Sequence, residues 1–172
     1  DLYLLHWRDS TPLEETVDAF IALTEQGKIR HWGVSNFDVD DLDELSALDG
    51  GSGCALNQVY QSVSERGPEY ALLPWQQQRR MPLMAYSPID QGALAQDAAL
   101  QAVARRHGAT AAQVALAALW RLPGVMPIPK TSDAARLLEN WQAQALVLDA
   151  QDQAALDAAH PAPRRKTPLQ MR

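Results

Sequence analysis

The sequence predicts an α/β fold in which parallel β-strands alternate with helices. Five short segments rich in apolar and β-branched residues recur along the chain. The first four begin 26 or 27 residues apart, and the fifth begins 44 residues further on. Most of the intervals carry the apolar pattern of a helix, which is the signature of repeated βα units. The five predicted strands are residues 2–7, 29–35, 55–61, 81–87 and 125–130.

The helix after the first strand is predicted by its ends and by its apolar stripe. Thr11 and Pro12 are typical of an N-cap and a first helical position, and Glu14 and Glu15 place negative charge in the first turn. The stripe ends at Gly27, a residue typical of a helix end. Further helices are predicted at residues 38–48, 66–79 (from Pro68), 97–107, 110–121, 133–141 and 149–158, before a tail rich in proline and arginine at 161–172.

Five parallel strands fit either an open doubly wound sheet or part of a barrel. A barrel gathers functional residues from the carboxyl ends of many strands at one mouth, whereas an open sheet concentrates them at one switch point. Here polar residues lie at or near the carboxyl end of every predicted strand, which favours the barrel. They are His6, Ser35 with Asn36, Gln58, Tyr86 with Ser87, and Lys130 with Thr131.

Composition restricts the possible partners. The formal net charge of -6 disfavours nucleic acid as a partner. The apolar run 114–120 is far shorter than the ~20 residues of a membrane span, and no signal-peptide pattern opens the sequence. Cys54 is the only cysteine, which excludes an intrachain disulfide and a cysteine-based zinc site. We therefore expect a cytoplasmic protein without a membrane segment and without a metal site.

The segment after the last predicted strand has the features of a phosphate site. Lys130 and Thr131 precede a helix start, and a lysine, a hydroxyl and free N–H groups together can hold a phosphate. Arg136, Glu139 and Asn140 share one helix face by their i, i+3 and i+4 spacing. This face suits a phosphorylated ribose with an adjoining base. The same spacing also fits a capped surface helix with solvated side chains.

Two further residues are candidates for chemistry at the mouth. His6 ends the first predicted strand and is either a catalytic histidine or a core residue with satisfied hydrogen bonds. Tyr86 ends the fourth and could either stack on a planar ring or pack against the wall of the fold. Local sequence does not separate these alternatives.

The order of the motifs is more informative than any one of them. LYLLHW, GVSNF, NQV, AYSP and IPKTSDAARLLEN follow one another at successive strand ends, and together they resemble the C-terminal part of an aldo-keto reductase. The resemblance covers essentially the whole chain. The segments RGPEYALLPW and HPAPRRKTPLQM are most similar to bacterial members of the methylglyoxal-reductase type.

The resemblance implies an NADPH-dependent (β/α)8 barrel that reduces small aldehydes or ketones. His6 matches the histidine that orients and polarises the carbonyl group. The residues that match contacts of the nicotinamide carboxamide are Ser35, Asn36 and Gln58, and the aromatic that stacks on the nicotinamide ring is Tyr86. Ser87 and the loop to Gly92 match the region that covers the pyrophosphate. The clamp on the 2′-phosphate is matched by Lys130, Thr131 and Arg136, and the adenine contacts are matched by Glu139 and Asn140.

One departure from the family is serious. Its proton donor is a tyrosine supported by a lysine and an aspartate, all from the first three βα units, and this sequence resembles the family only from the fourth strand onward. We expect residues 1–172 to be the C-terminal five βα units, strands four to eight, of a (β/α)8 TIM barrel. The three N-terminal units needed for closure are then absent, and the chain is inactive alone.

Two alternatives remain open. The chain could be a non-catalytic nucleotide-binding module or a decayed relative of the family. More distantly, it could belong to an unrelated phosphate-binding barrel such as an aldolase or isomerase, although the adenine-type face at Arg136, Glu139 and Asn140 argues against that.

Overall fold

A five-stranded parallel β-sheet forms the centre of the computed structural model, which describes residues 1–171. The strand order follows the sequence, and every neighbouring pair is parallel. The strands are β1 (Leu2–Leu5), β2 (His31–Ser35), β3 (Cys54–Tyr60), β4 (Leu83–Tyr86) and β5 (Val125–Pro127). The predicted α/β class and parallel sheet are confirmed.

Helices follow each strand in the pattern that the sequence predicts. They are α1 (Leu13–Glu25), α2 (Val39–Ala47), α3 (Leu72–Gln78), α4 (Ala98–His107), α5 (Ala111–Trp120), α6 (Ala134–Gln142) and α7 (Ala150–Ala159). Short 3-10 segments occur at Gly51–Gly53, Gly67–Glu69, Asp90–Gln96 and Ala143–Ala145.

Two predicted helix details are wrong. Thr11 is not the N-cap of α1, because Pro12 has an extended ψ of 131° and the helix begins only at Leu13. The side chain of Asp9 accepts a hydrogen bond from the Thr11 N–H at 2.8 Å, which holds Thr11 in a turn before the helix. The predicted helix at 66–79 is divided, because Ala71 has a non-helical φ of -128° between the 3-10 turn and α3.

The last strand is also shorter than predicted. It ends at Pro127 instead of Lys130. Pro127 and Pro129 have no N–H group to donate to a sheet ladder, so pairing stops here. Lys130 therefore lies on a loop beyond the strand.

Within residues 1–171, the helices pack on one face of the sheet. Side chains such as Val34, Val59 and Leu83 point into the main core with Phe20 and Leu42 from the helices. The opposite face carries a row that is in register across β3, β4 and β5 and is half-buried or exposed, comprising Gln58, Met84 and Met126. A doubly wound sheet would have helices on both faces and a reversal in strand order. Helices on one face of the sheet and a strand order that follows the sequence are instead typical of a barrel wall.

A fully buried carboxylate joins the two helices α4 and α7. Asp152 accepts a hydrogen bond from Arg106, lies 2.6 Å from His107 Nε2, and accepts from the Asp149 backbone N–H at 3.0 Å. Arg106 also donates to Asp149, and this bond lowers the pKa of Asp149 to about 2 from its ordinary 3.8. The Asp149 contribution to stability is thus full above pH ~4 and is lost as the pH falls toward 2.

Replacing Asp152 should therefore destabilise the fold. We expect Asp152→Asn to lower the free energy of unfolding by about 2 kcal/mol, because Arg106 and His107 lose a buried negative partner while keeping partial access to water. Urea denaturation followed by circular dichroism measures the change. Asp18→Asn, at an exposed position of α1, is the matched control and should stay within ~0.5 kcal/mol of the wild type. Equal stability of the two variants would contradict this role.

Candidate functional site

Residues at or near the carboxyl ends of β1, β2 and β3 meet at one edge of the sheet, called the mouth below. Ser35 donates a hydrogen bond from its hydroxyl to the Gln58 carbonyl oxygen at 2.8 Å. Asn36 donates from Nδ2 to the Ser35 hydroxyl oxygen at 3.2 Å and to the His6 carbonyl oxygen at 3.5 Å. The structure thus brings His6, Ser35, Asn36 and Gln58 together, as the positions of these residues predict.

The conformation of Asn36 belongs to this arrangement. Its φ is +62°, in the left-handed region that asparagine adopts more readily than most residues. Its backbone N–H donates to the Gln58 carbonyl oxygen at 2.8 Å, so the same residue also continues the pairing of β2 with β3.

Tyr86 joins the mouth from β4. Its hydroxyl donates to Asn36 Oδ1 at 3.1 Å, and its ring stacks on that of Tyr60 with centroids 5.8 Å apart. Gln58 donates from Nε2 to the Met84 sulfur at 3.0 Å. A thioether only accepts hydrogen bonds, so this contact fixes which end of the Gln58 amide faces Met84.

A second part of the site is a cleft of about 400 Å³ between the loop after β4 and the starts of α5 and α6. The five residues predicted to bind the phosphate and the base all line it. They are Lys130, Thr131, Arg136, Glu139 and Asn140. The backbone oxygen of Glu139 accepts from Gln113 Nε2 at 3.0 Å, which fixes α6 against α5.

One expected feature of the cleft is wrong. Two N–H groups in the first turn of α6 are not available to a phosphate, because Asp133 caps the helix and its Oδ1 accepts from Ala135 N–H at 2.8 Å and Arg136 N–H at 3.1 Å. A phosphate in this cleft would therefore be held by side chains, chiefly the cations of Lys130 and Arg136.

A single loop connects the mouth with the cleft. Ser87 follows Tyr86 directly, and Ile89 and Gly92 line the cleft. Ser87 has a φ of +48°. The loop therefore spans from the aromatic at the mouth to the cationic side chains of the cleft.

Several contacts around the site were not predicted. One is the hydrogen bond that Gln58 donates to the Met84 sulfur. Another is the tail residue Lys166, which lies 3.3 Å from Asp38 Oδ2 and 3.5 Å from Asp40 Oδ1 at the start of α2. Partial burial opposes its protonation, but the two carboxylates prevail and raise the pKa of Lys166. No local motif marks such contacts, because each joins segments far apart in sequence.

The chemistry of the two parts is complementary. The mouth offers an aromatic ring beside amide and hydroxyl groups, which suits a planar ring bearing a carboxamide. The cleft offers two cations beside a carboxylate and an amide, which suits a phosphorylated nucleoside.

Residues 1–171 contain no group of three His, Cys, Asp or Glu side chains that could hold a metal ion. No helix in that range has the length and apolar character to cross a bilayer.

The chain is similar to known proteins over nearly all of its length. The profile of the Aldo/keto reductase family matches residues 1–161. Methylglyoxal reductase YeaE of Escherichia coli (strain K12) is 48% identical over 99% of this chain and 62% of its own length. Glyoxal reductase of Bacillus subtilis (strain 168) is 35% identical over 92% of this chain and 56% of its own length.

A solved structure is similar in fold as well. The aldo/keto reductase from Klebsiella pneumoniae in complex with NADP and acetate superposes with a TM-score of 0.97 at 44% identity, covering 99% of this chain and 62% of that one. The chain thus spans about three-fifths of the length of these relatives.

Proposed function

The chain belongs to the aldo/keto reductase family, and on that premise we propose that it forms the cofactor-binding part of an NADPH-dependent oxidoreductase. The whole protein reduces small aldehydes or ketones to alcohols. One observation carries the proposal: a mouth suited to nicotinamide and a cleft suited to a phosphorylated adenosine lie at the two ends of one loop, after Tyr86. Relatives named methylglyoxal reductase and glyoxal reductase support a small dicarbonyl as the substrate.

The mouth holds the nicotinamide end of the cofactor, which supplies a hydride when bound. Tyr86 stacks on the nicotinamide ring. The carboxamide is held by Ser35, Asn36 and Gln58. This assignment is supported by hydrogen bonds that fix the orientation of three of these side chains. Ser35 donates to the Gln58 backbone carbonyl oxygen, Asn36 donates to the Ser35 hydroxyl oxygen, and Tyr86 donates to Asn36. Ser87 lies next to the pyrophosphate.

The cleft holds the adenosine end. Lys130, Thr131 and Arg136 bind the 2′-phosphate, and Glu139 with Asn140 bind the adenine. Its volume and its combination of cationic, hydroxyl and amide groups support this assignment.

His6 orients the carbonyl group of the substrate at the mouth. The proton that the product alkoxide needs comes from a tyrosine outside these residues. The residues 1–172 are then the last five βα units of a (β/α)8 barrel whose other three units close the sheet and supply the donor. A cytoplasmic location accords with this chemistry and stays a prediction.

A second candidate is a binding module without catalysis. It is favoured by one observation: every residue assigned above to the cofactor lies within residues 1–172. Such a module would bind NADPH and leave carbonyl compounds unchanged.

The two candidates are separated by one assay. The full-length gene product that carries this sequence is purified, and consumption of NADPH is followed by its absorbance with methylglyoxal present or omitted. We expect consumption that depends on methylglyoxal. Tight binding of NADPH without consumption would favour the binding module, and failure to bind NADPH would overturn both candidates.

A further inference from the structure

A buried carboxylate lies beneath the loop that joins the mouth to the cleft. Asp90 is only 5% exposed. Tyr60 donates a hydrogen bond from its hydroxyl to Asp90 Oδ1 at 2.5 Å, and Ser64 donates to Asp90 Oδ2. Both donors come from the end of β3 and the segment after it, whereas Asp90 belongs to the loop after β4. The carboxylate therefore fastens that loop to the neighbouring strand end.

The loop backbone needs such fastening. Ser87, Asp90 and Gln91 have φ values of +48°, +49° and +55°, a conformation that L-amino acids rarely adopt. Residues in such conformations persist where the surrounding contacts over-determine them. Two short turns are formed as well, by Asp90 N–H to the Ser87 carbonyl oxygen at 3.0 Å and Gly92 N–H to the Ile89 carbonyl oxygen at 2.9 Å.

Asp90 reaches both parts of the proposed site. Through Tyr60 it contacts the mouth, because the Tyr60 ring stacks on Tyr86 with an interplanar angle of 22°. Asp90 also lies next to the cleft along the chain. The cleft is lined by Ile89, which precedes Asp90, and by Gly92, which is two residues after it. The two parts thus share one buried carboxylate.

We infer that Asp90 is a positioning residue that couples the nicotinamide half of the site to the adenosine half. Its bond to Tyr60 holds the ring that supports Tyr86, and its bond to Ser64 holds the loop at the edge of the cleft. The inference rests on the proposed function.

Two variants and two ligands test the coupling in the full-length gene product. Tyr60→Phe removes one hydroxyl and keeps the ring under Tyr86, whereas Asp90→Ala removes both hydrogen bonds. NADPH probes the whole site, and adenosine 2′,5′-bisphosphate probes the cleft alone. Affinities are measured by isothermal titration calorimetry, and the midpoint of thermal unfolding is recorded for each variant.

We expect Tyr60→Phe to weaken NADPH binding about tenfold, because a hydrogen bond to a buried carboxyl group is lost, and to change bisphosphate binding less than twofold. Asp90→Ala should weaken both ligands. Tyr70→Phe is the matched control, since Tyr70 is 48% exposed and lies in the segment that follows Ser64. It should change neither affinity.

The measured affinities show whether Asp90 couples the two halves of the site or only stabilises the fold. Equal loss of affinity for both ligands in Tyr60→Phe, with a lower unfolding midpoint, would overturn the inference. Unchanged affinities in both variants would overturn it too and would leave the proposed function intact. A wild type that binds neither ligand would overturn the proposed function and the inference with it.

Discussion

Expressed on their own, the 172 residues should reduce neither methylglyoxal nor nitrobenzaldehyde with NADPH above background. Hydride transfer to a carbonyl carbon leaves an alkoxide that must be protonated, and a positioned acid contributes ~10²- to 10⁴-fold to the rate. The four tyrosines have other placements. Tyr3 packs edge-on against Phe20 on the helix side of the sheet, and Tyr70 is exposed on the surface. Tyr60 donates to Asp90, and Tyr86 donates to Asn36.

The sequence has three lysines, and none of them is placed to activate a tyrosine at the mouth. Lys28 precedes β2 and lies at the opposite end of the sheet. Lys130 lines the cleft, and Lys166 pairs with Asp38 and Asp40. We therefore expect the tyrosine acid to lie outside these residues. Robust turnover by the 172 residues alone would show that the donor is among them.

His6 should be needed for full activity in the full-length gene product. His6→Ala should lower kcat/KM for methylglyoxal about 100-fold, the usual cost of removing one group that polarises a reacting carbonyl. His31→Ala is the matched control, because His31 is exposed and begins β2 at the end remote from the mouth. It should leave kcat/KM within twofold. Similar losses in both variants would argue against the role proposed for His6.

Arg136→Ala should remove most of a preference for NADPH over NADH. A guanidinium that pairs with the 2′-phosphate through two charge-assisted hydrogen bonds contributes about 1.5 to 3 kcal/mol, or roughly ten- to a hundredfold in affinity. Fluorescence titration of the full-length gene product should show this loss for NADPH and an unchanged affinity for NADH, which lacks that phosphate.

Arg105→Ala is the control for charge alone, since Arg105 is an exposed arginine in the last turn of α4. It should change the affinity for either cofactor less than twofold. Equal affinity of the wild type for the two cofactors would contradict the assignment of Arg136.

The sequence predicts the fold well because each element carries its own signal. Apolar periodicity separates strands from helices, and Thr110 and Asp149 cap α5 and α7 where the patterns begin. The residues at the mouth are also predictable, because parallel strands bring their carboxyl ends to one side. Lys130 lines the cleft with the other residues predicted to bind the phosphate, although its strand ends earlier than predicted.

Contacts across loops are not predictable in this way. Asp90 meets Tyr60 across 30 positions, in a loop where three residues other than glycine have positive φ values. The sequence also does not reveal that Asp133 uses its own carboxylate to satisfy the first N–H groups of α6, because an aspartate there fits either a cap or a neighbour of a bound anion.

The one-sided sheet has a consequence for handling the protein. Within residues 1–171, β1 pairs only with β2 and β5 pairs only with β4, so each outer strand leaves a row of backbone donors and acceptors without a strand partner. Such edges are templates for pairing with another chain. The adjoining face also presents Met126 and Leu2, two large apolar side chains accessible to water. Supplying a strand for each edge, by co-expression or fusion, is therefore the physical route to a monodisperse preparation.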